Sequence, residues 1–392
     1  MKFRFRRLLV ALISASALTS LALVPASAAG GRAAAPVCPG PAEAGSARCH
    51  ALVVTDSTGK AITNTVPSGY APADLQSAYA LPSSSAGVGQ TVAIVDAYDD
   101  PKAETDLGVY RSQFGLPACT TANGCFKKVN QNGVQGSYPR ADGGWSQEIS
   151  LDLDMVSAVC PSCHILLVEA TSPTFTNLGT AVNTAANLGA NAISNSYGGS
   201  ESSSETSWES TYYNHPGKAV TASSGDGGYG VEFPAASQYV TAVGGTSLSK
   251  ASNSRGWAES AWSGSGSGCS AYISKPSWQT DPGCARRTVA DVSAVADPNT
   301  GVAVYDSYAY RGSSGWLIFG GTSVASPITA AVYALAGNAS SITYGSYPYG
   351  HSSSLFDVTS GSNGSCGSYL CTAEPGYDGP TGNGTPNGSG GF

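Results

Sequence analysis

Charged side chains are scarce in this sequence. Asp, Glu, Lys and Arg make up 11% of its 392 residues, against roughly a quarter in an average soluble protein. The 26 acidic residues outnumber the 19 Lys and Arg residues, which gives a formal net charge of −7. A chain with so few cations offers no basic surface that could follow a phosphate backbone. We therefore expect no nucleic acid among its partners.

Long apolar runs are also missing, except near the N-terminus. Residues 8–24 form an apolar run that follows four Lys and Arg residues and precedes the small-residue site Ala26-Ser27-Ala28. This pattern is typical of a secretory signal peptide. A membrane anchor is the alternative, but Ser and Thr residues interrupt the run and it is short for a span. We predict a signal peptide at residues 1–28 and a secreted, extracellular protein with no membrane association after its removal.

Histidine, the usual base of a serine hydrolase, is rare. The chain has four histidines, and they are His50, His164, His215 and His351. His50 lies in an N-terminal extension and His164 opens an expected core strand, so neither is well placed to serve a nucleophile. A Ser-His-Asp triad is therefore disfavoured, and an acidic residue is the better candidate for a catalytic base.

Cysteine is plentiful for an exported chain, and its ten residues come as neighbours in sequence. Exported cysteines are normally paired. A metal site at Cys160 and Cys163 would need a second pair near a histidine, which the sequence does not offer. We predict five local disulfides, Cys38–Cys49, Cys119–Cys125, Cys160–Cys163, Cys269–Cys284 and Cys366–Cys371.

Apolar runs typical of buried strands alternate with segments of helical pattern. The expected strands cover residues 91–95, 165–168, 192–194, 219–221, 240–243 and 302–305, and the expected helices cover 102–114 and 176–188. This alternation predicts an α/β fold with a mostly parallel sheet and helices on both faces. We place one large domain at residues 69–392, after a short extension or pro-segment at residues 29–68, and we expect a monomer.

Ser323 stands where a helix is expected to begin. It lies in Gly320-Gly321-Thr322-Ser323-Val324-Ala325-Ser326-Pro327, and an apolar run follows at residues 328–336. Unpaired backbone N–H groups at a helix N-terminus can meet a developing oxyanion, which suits a nucleophile. An ordinary capping serine is the alternative, so the identification depends on finding a base.

Two carboxylates one helical turn apart provide that base. Between residues 145 and 158 the apolar positions recur at helical spacing, which places Glu148 and Asp152 on one face. Like charges at this spacing repel, so a site that shares a proton between carboxyls gains from the arrangement. The alternative is a solvated acidic face without catalytic meaning.

Two polar turns follow expected strands and can border the same cleft as Ser323. They are Ser194-Asn195-Ser196-Tyr197-Gly198 and Ser223-Ser224-Gly225-Asp226-Gly227-Gly228. In sheets of this type the chemistry lies at the carboxyl ends of the strands. A second Gly-Gly-Thr-Ser tetrad occurs at residues 244–247, but no apolar helix follows it, and we interpret it as a structural turn.

The order and context of three motifs resemble the sedolisin family of serine-carboxyl peptidases. They are Glu148-Ile149-Ser150-Leu151-Asp152, Ser223-Ser224-Gly225-Asp226 and the octet that contains Ser323, and the similarity runs from about Tyr70 to Gly388. The resemblance implies a subtilisin-like, doubly wound fold. It also implies Ser323 as nucleophile, Glu148 as base, Asp152 as its orienting partner and Asp226 as the oxyanion-hole acid. Ser196, Tyr197 and Gly198 match the segment that pairs with the substrate backbone.

The C-terminal region resembles the calcium site of the same family. The implied ligands are Asp357, Val358, Glu374, Gly376 and Asp378, which supply two carboxylates and three carbonyl oxygens to one structural calcium ion. Glycine is usual where Glu374 stands, so this ligand departs from the pattern. An acidic loop without a metal is the alternative.

The resemblance implies a secreted endopeptidase that cleaves protein or peptide substrates and is most active in acid. About 40 residues separate Ala28 from the expected domain, whereas the family generally carries a long folded propeptide. A secreted, non-catalytic binding protein on the same scaffold is the alternative function. The presence of all four expected catalytic side chains argues against it.

Overall fold

The computed structural model describes Met1 and residues 33–392. The predicted signal peptide, Met1 apart, lies outside the described residues. Among those described, no helix combines the length and the apolar character that crossing a bilayer requires. Residues 33–68, the predicted extension, belong to the same compact unit as the expected domain.

The α-helices of the described chain vary from single turns to the long α3 and α6. They are α1 (Pro72–Ala78), α2 (Ala103–Gln113), α3 (Gly143–Val159), α4 (Phe175–Asn187), α5 (Glu205–Trp208), α6 (Thr322–Ala336) and α7 (Tyr347–Gly350). The expected helices at residues 102–114, 145–158 and 176–188 correspond to α2, α3 and α4.

The strands form one large sheet and several small ones. They are β1 (Ala33–Pro36), β2 (Arg48–Cys49), β3 (Leu52–Thr55), β4 (Thr91–Ala97), β5 (Phe126–Asn130), β6 (His164–Ala170), β7 (Ala192–Asn195), β8 (Tyr197–Ser200), β9 (Ala219–Ser223), β10 (Glu232–Phe233), β11 (Thr241–Lys250), β12 (Trp257–Ala261), β13 (Gly268–Ser274), β14 (Arg286–Val289), β15 (Val292–Val295), β16 (Val302–Tyr310), β17 (Ser313–Gly320), β18 (Leu355–Phe356) and β19 (Thr385–Pro386).

The large sheet has the strand order β12-β11-β9-β7-β4-β6-β5, and β15 also pairs with β11. Neighbours are parallel except β12, which is antiparallel to β11. The inner strand β4 is buried from Val92 onward, as expected for a sheet covered on both faces. The fold is therefore a subtilisin-like α/β sheet with helices, and this prediction is confirmed.

A second, antiparallel sheet corrects one expectation. Residues 302–305 do form a strand, but β16 pairs with β17 in the order β1-β3-β17-β16 and does not join the large sheet. An apolar run alone does not identify a strand's partner, and here the hairpin with β17 determines it. The same sheet includes β1 and β3, so the predicted extension is built into the fold through backbone pairing.

The second Gly-Gly-Thr-Ser tetrad lies inside β11, so its interpretation as a turn was wrong. Its glycines serve close packing. A Cβ atom on Gly244 would overlap the Pro380 carbonyl oxygen, and one on Gly245 would lie 2.6 Å from Cβ of Ala296. Glycine in a strand often marks such a close approach.

All five predicted disulfides are present, with the expected partners. Each closes a loop of at most 15 residues. The cysteines of the described chain are all paired, which agrees with the expectation for an oxidising compartment.

Candidate active site

Ser323 lies at the first turn of α6, where the chain turns sharply after β17. Gly321 precedes the helix with φ of 96°, a conformation that side chains disfavour. The Ser323 side chain is buried, and its hydroxyl donates to the Ser196 carbonyl oxygen at 3.2 Å. The predicted helix N-terminus is therefore confirmed, and the turn places the hydroxyl beside the end of β7.

Glu148 and Asp152 lie in the middle of α3, which is buried on all sides from Gly144 to Val159. The interpretation as a solvated acidic face is therefore excluded. Burial raises the pKa of both carboxyls, and the charge of Asp96 adds to the shift. A hydrogen bond from the Ala51 backbone N–H acts in the opposite direction on the pKa of Glu148. The Ser196 hydroxyl donates to Oδ1 of Asp152 at 2.8 Å. The helix thus brings two protonatable carboxyls to the predicted nucleophile.

Asp226 approaches Ser323 from the turn after β9. The backbone N–H and the hydroxyl of Thr322 both donate to Oδ1 of Asp226, each at 2.8 Å. Oδ2 is buried and has no hydrogen-bond partner in the described chain. Burial raises the pKa of Asp226 to about 6, although the His50 charge and the Thr322 hydrogen bonds lower it. In mild acid the carboxyl therefore carries a proton that it can donate.

In the expected substrate segment, Tyr197 and Gly198 form the start of β8, and Ser196 lies between β7 and β8. The buried Tyr197 side chain donates to the Asn195 side chain at 2.7 Å, so it supports the site from within. Gly198 has no side chain. A Cβ atom at this position would lie 2.7 Å from both the Glu232 carboxylate and the His50 ring. The edge of β8 and the space above Gly198 are therefore suited to hold an extended peptide.

The chain's own N-terminal segment lies along this edge. Arg48 and Cys49 of β2 pair antiparallel with Gly198 and Tyr197. The next residue, His50, donates its backbone N–H to the Ser196 carbonyl oxygen at 3.2 Å. The Ala51 N–H donates to Oε2 of Glu148 at 2.8 Å. The peptide bond between residues 50 and 51 therefore lies at the predicted catalytic residues.

The carbonyl group of His50 is directed at the predicted oxyanion site. A Cβ atom on Gly321 would overlap the His50 carbonyl oxygen and would lie 2.8 Å from the unpaired Oδ2 of Asp226. The absence of a side chain at Gly321 therefore makes room for a carbonyl oxygen beside the Asp226 carboxyl. The His50 ring points elsewhere, to Ser223 and Glu232, so His50 is an occupant of the cleft and does not act on Ser323 as a base.

Asp96 forms a carboxyl cluster with Glu148 and Asp152. The sequence pattern did not predict this role for Asp96. It lies near the end of β4, is fully buried, and neither of its oxygens has a hydrogen-bond partner in the described chain. Burial raises its pKa well above the usual value. An acidic residue inside the apolar run 91–97 was the available signal. The structure also adds Thr322 and Glu232, for which no local pattern gave a signal.

The residues of the expected calcium site come together in the C-terminal loops. The Gly376 N–H donates to Asp357 at 2.9 Å, and the Glu374 N–H donates to Asp378 at 3.2 Å. Burial raises the pKa of Asp378 to about 7, and the charge of Asp357 adds to it. Neither carboxylate forms a salt bridge in the described chain. Two neighbouring carboxylates that lack a cation partner in the described chain have the oxygen chemistry that a hard divalent ion prefers. Across the described residues, no cluster of three or more His, Cys, Asp or Glu side chains is placed to hold a metal ion.

Comparison with known proteins identifies relatives of this chain. The subtilase family model matches residues 131–344. Kumamolisin from Bacillus sp. (strain MN-32) is 31% identical over 303 residues, which cover 68% of this chain and 52% of kumamolisin. Sedolisin from Pseudomonas sp. (strain 101) is 35% identical over 202 residues, which cover 42% of this chain and 33% of sedolisin. The chain thus spans about half or less of the length of these relatives.

Solved structures show the same relationship. A Pseudomonas sedolisin, a serine-carboxyl proteinase solved with pseudo-iodotyrostatin, superimposes with a TM-score of 0.67 at 27% identity and covers 82% of this chain and 96% of its own. Sphericase superimposes with a TM-score of 0.52 at 19% identity, covering 82% of this chain and 98% of its own, and shows the shared fold alone. The chain therefore belongs to the subtilase family, and within it to the sedolisins.

Proposed function

We propose that this protein is a secreted serine-type endopeptidase that hydrolyses protein or peptide substrates in acid. The observation that carries the proposal is the convergence of Ser323, Glu148 and Asp226 on one peptide group. In the peptide group between residues 50 and 51, the His50 carbonyl lies on the side of Asp226, and the Ala51 N–H donates to Glu148. A binding protein on this scaffold would have no need of a buried nucleophile, base and acid around the same bond.

Acylation begins with attack of Ser323 Oγ on the substrate carbonyl carbon. Glu148 takes the serine proton and passes it to the leaving nitrogen, a position at which Glu148 already accepts a hydrogen bond from the Ala51 N–H. Asp152 holds a proton near Glu148 and is itself fixed by the Ser196 hydroxyl. Water then hydrolyses the acyl-enzyme, with Glu148 acting as base again.

The oxyanion is stabilised by a protonated Asp226. Thr322 fixes one carboxyl oxygen with two hydrogen bonds, which leaves the other oxygen, Oδ2, to donate to the substrate carbonyl. A carboxyl group can donate only while it is protonated. Removal of one oxyanion-hole donor typically costs about a hundredfold or more in rate, so this group links activity to acid.

The proposal includes one calcium ion with a structural role. Asp357 and Asp378 would bind it through carboxylates, and Val358, Glu374 and Gly376 through carbonyl oxygens. The ion would supply positive charge between two carboxylates and no chemistry at Ser323. We also propose that residues 1–28 direct export and that residues 29–68 form a pro-segment of the domain at residues 69–392, which acts as a monomer.

Hydrolysis of a denatured protein from about pH 3 to 8 tests the function. The matched pair of variants is Ser323→Ala and Ser326→Ala, since both remove a buried hydroxyl from α6. Ser326 bonds to Ser194 and Thr221 and lies outside the proposed mechanism. We expect Ser323→Ala to abolish hydrolysis and Ser326→Ala to retain it. Equal activity of Ser323→Ala and the unmodified protein would refute the proposal.

A further inference from the structure

A cavity outside the proposed active site has a volume of about 810 Å³, which suits a small organic ligand. It lies between the loop that joins β13 to β14 and the C-terminal loops. Its walls include four aromatic side chains, each partly exposed, and these are Trp278, Tyr349, Tyr369 and Tyr377. The cavity is therefore a candidate binding site that the peptidase chemistry does not use.

The four aromatic rings form a continuous row along the cavity. The ring centroids of Trp278 and Tyr349 lie 4.8 Å apart, and those of Tyr349 and Tyr377 lie 5.7 Å apart. Tyr369 continues the row at 6.3 Å from Tyr377. Successive ring planes meet at 55°, 31° and 63°, so the rings do not form one flat surface. They line several sides of the space.

The protein already holds the three tyrosine hydroxyls. The Tyr349 hydroxyl donates to Oδ1 of Asp291 at 2.8 Å, and the Tyr377 hydroxyl donates to a backbone carbonyl oxygen at 2.9 Å. The Tyr369 hydroxyl donates to Oδ2 of Asp281 at 2.8 Å. Because these donors are occupied, the tyrosines offer a ligand chiefly their rings. The face of an aromatic ring carries partial negative charge and attracts cations.

The charged side chains of the cavity also favour a cation. Asp281 and Glu374 line it, whereas no Lys, Arg or His of the described chain is among the lining residues. Asp281 is paired with Lys275 at 2.9 Å. Glu374 is exposed and forms no salt bridge in the described chain. Arg287 lies 5.2 Å from the Trp278 ring centroid, but it is buried in an ion pair of its own and does not line the cavity. Glu374 thus leaves one unpaired negative charge beside the aromatic row.

We propose that this cavity binds an organic cation with a substituted ammonium group, its carbon atoms against the rings and its charge near Glu374. Cages of aromatic rings recognise such cations, and a neighbouring carboxylate adds Coulombic attraction. A neutral ligand of the same shape would leave Glu374 unpaired, and the carboxylates would repel an anion. The ammonium group belongs either to a free small molecule or to a lysine side chain of a polypeptide. This inference does not depend on the proposed peptidase function.

Isothermal titration calorimetry on the full chain with Ser323→Ala, in near-neutral buffer with saturating calcium, tests the inference. The probes are choline chloride, its uncharged carbon isostere dimethylbutanol, and a capped trilysine peptide. We expect choline or trilysine to bind at one site, at least about tenfold more tightly than dimethylbutanol. Tighter binding of choline identifies a free small molecule as the source of the cation. Tighter binding of trilysine identifies a polypeptide side chain.

Variants locate the binding in this cavity. Glu374→Gln should weaken binding of the cation about tenfold, because it removes the unpaired charge and keeps the backbone carbonyl of the proposed calcium site. Tyr377→Leu should weaken it to a similar extent, and Tyr377→Phe, which keeps the ring, should retain it. Glu43→Gln is the control for Glu374→Gln, since it removes an exposed carboxylate that does not line this cavity. If Tyr377→Leu does not fold, the exposed position of Glu374 still provides the test.

Three results would overturn the inference. The first is equal affinity for choline, trilysine and dimethylbutanol, or no binding of either cation. The second is cation binding that Glu374→Gln leaves unchanged. The third is binding of a neutral trisaccharide such as cellotriose in place of the cations, which would identify a saccharide site.

Discussion

Thr322 fixes the orientation of Asp226 by donating both its backbone N–H and its hydroxyl to Oδ1, each at 2.8 Å. The second oxygen, Oδ2, is buried and borders the space at Gly321 that the His50 carbonyl group also borders. In the proposed function, this relationship makes Asp226 the acid-dependent donor of the oxyanion site.

Activity should therefore fall as pH rises through the pKa of Asp226. That pKa is raised to about 6, chiefly by burial, so the carboxyl is protonated below about pH 6 and loses its donor above it. As the pH falls further the rate should fall again, because the cluster of Asp96, Glu148 and Asp152, whose pKa values are raised by burial, becomes fully protonated and Glu148 can no longer accept a proton. The alkaline and acid limbs of this pH dependence belong to coupled groups, so neither limb reports the pKa of one residue alone. The pH dependence of kcat/KM on one peptide measures both.

The Asp226→Asn variant separates these limbs. Asparagine keeps an N–H donor that does not ionise, so the alkaline limb should flatten while the acid limb remains, even if imperfect geometry lowers the rate. A plain neutral-to-alkaline optimum in the unmodified protein would contradict the assignment of Glu148 as base and would favour a histidine.

Asp152 and Asp154 form a matched pair on α3. Asp152 accepts from the Ser196 hydroxyl beside the site, whereas Asp154 accepts from the Tyr305 N–H of β16 at 3.0 Å. We expect Asp152→Asn to lower kcat by about a hundredfold or more, the order typical of losing assistance to proton transfer. Asp154→Asn should keep kcat within about twofold and change only the melting temperature. Equal losses of kcat in the two variants would contradict the role of Asp152.

Stability should decrease as pH rises from about 4 to 8. Burial raises the pKa of Asp100 to about 7 and that of Asp306 to about 8. Across this range the folded protein holds protons that the unfolded chain releases, so rising pH favours unfolding. One unit of pKa shift on one group corresponds to about 1.4 kcal/mol. Thermal melts of Ser323→Ala, which cannot digest itself, should show Tm falling with pH, and Asp306→Asn should show a shallower fall. A Tm that rises from pH 4 to 8 would show that these carboxyls are ionised in the folded state.

Calcium should raise the melting temperature through the C-terminal loops. A ligand that binds the folded state alone stabilises it by mass action, and Asp357 and Asp378 lack a cation partner in the described chain. We expect a chelator to lower the Tm of Ser323→Ala and added calcium to restore it. The double variant Asp357→Asn/Asp378→Asn should not respond to either treatment. An unchanged Tm on chelation would refute the calcium site.

Much of the site was predictable because its signals are local. Helical spacing around Glu148 and Asp152, and glycines before Ser323, are read within one turn of chain. The occupant of the cleft was not predictable, since the contact of His50 with Ser223 joins residues 173 apart in sequence. The misplaced strand at residues 302–305 has a different reason. Its apolar residues satisfy either sheet, and only the hairpin with β17 decides between them.

The most direct measurement is the detection of an acyl-enzyme. A peptide ester should acylate the enzyme faster than water releases it, so acid-quenched samples should show a mass increase equal to the acyl group. Digestion and tandem mass spectrometry should then locate the adduct on Ser323, and Glu148→Gln should accumulate little of it. Hydrolysis of peptides without any adduct on Ser323, or an adduct on another residue, would contradict the account.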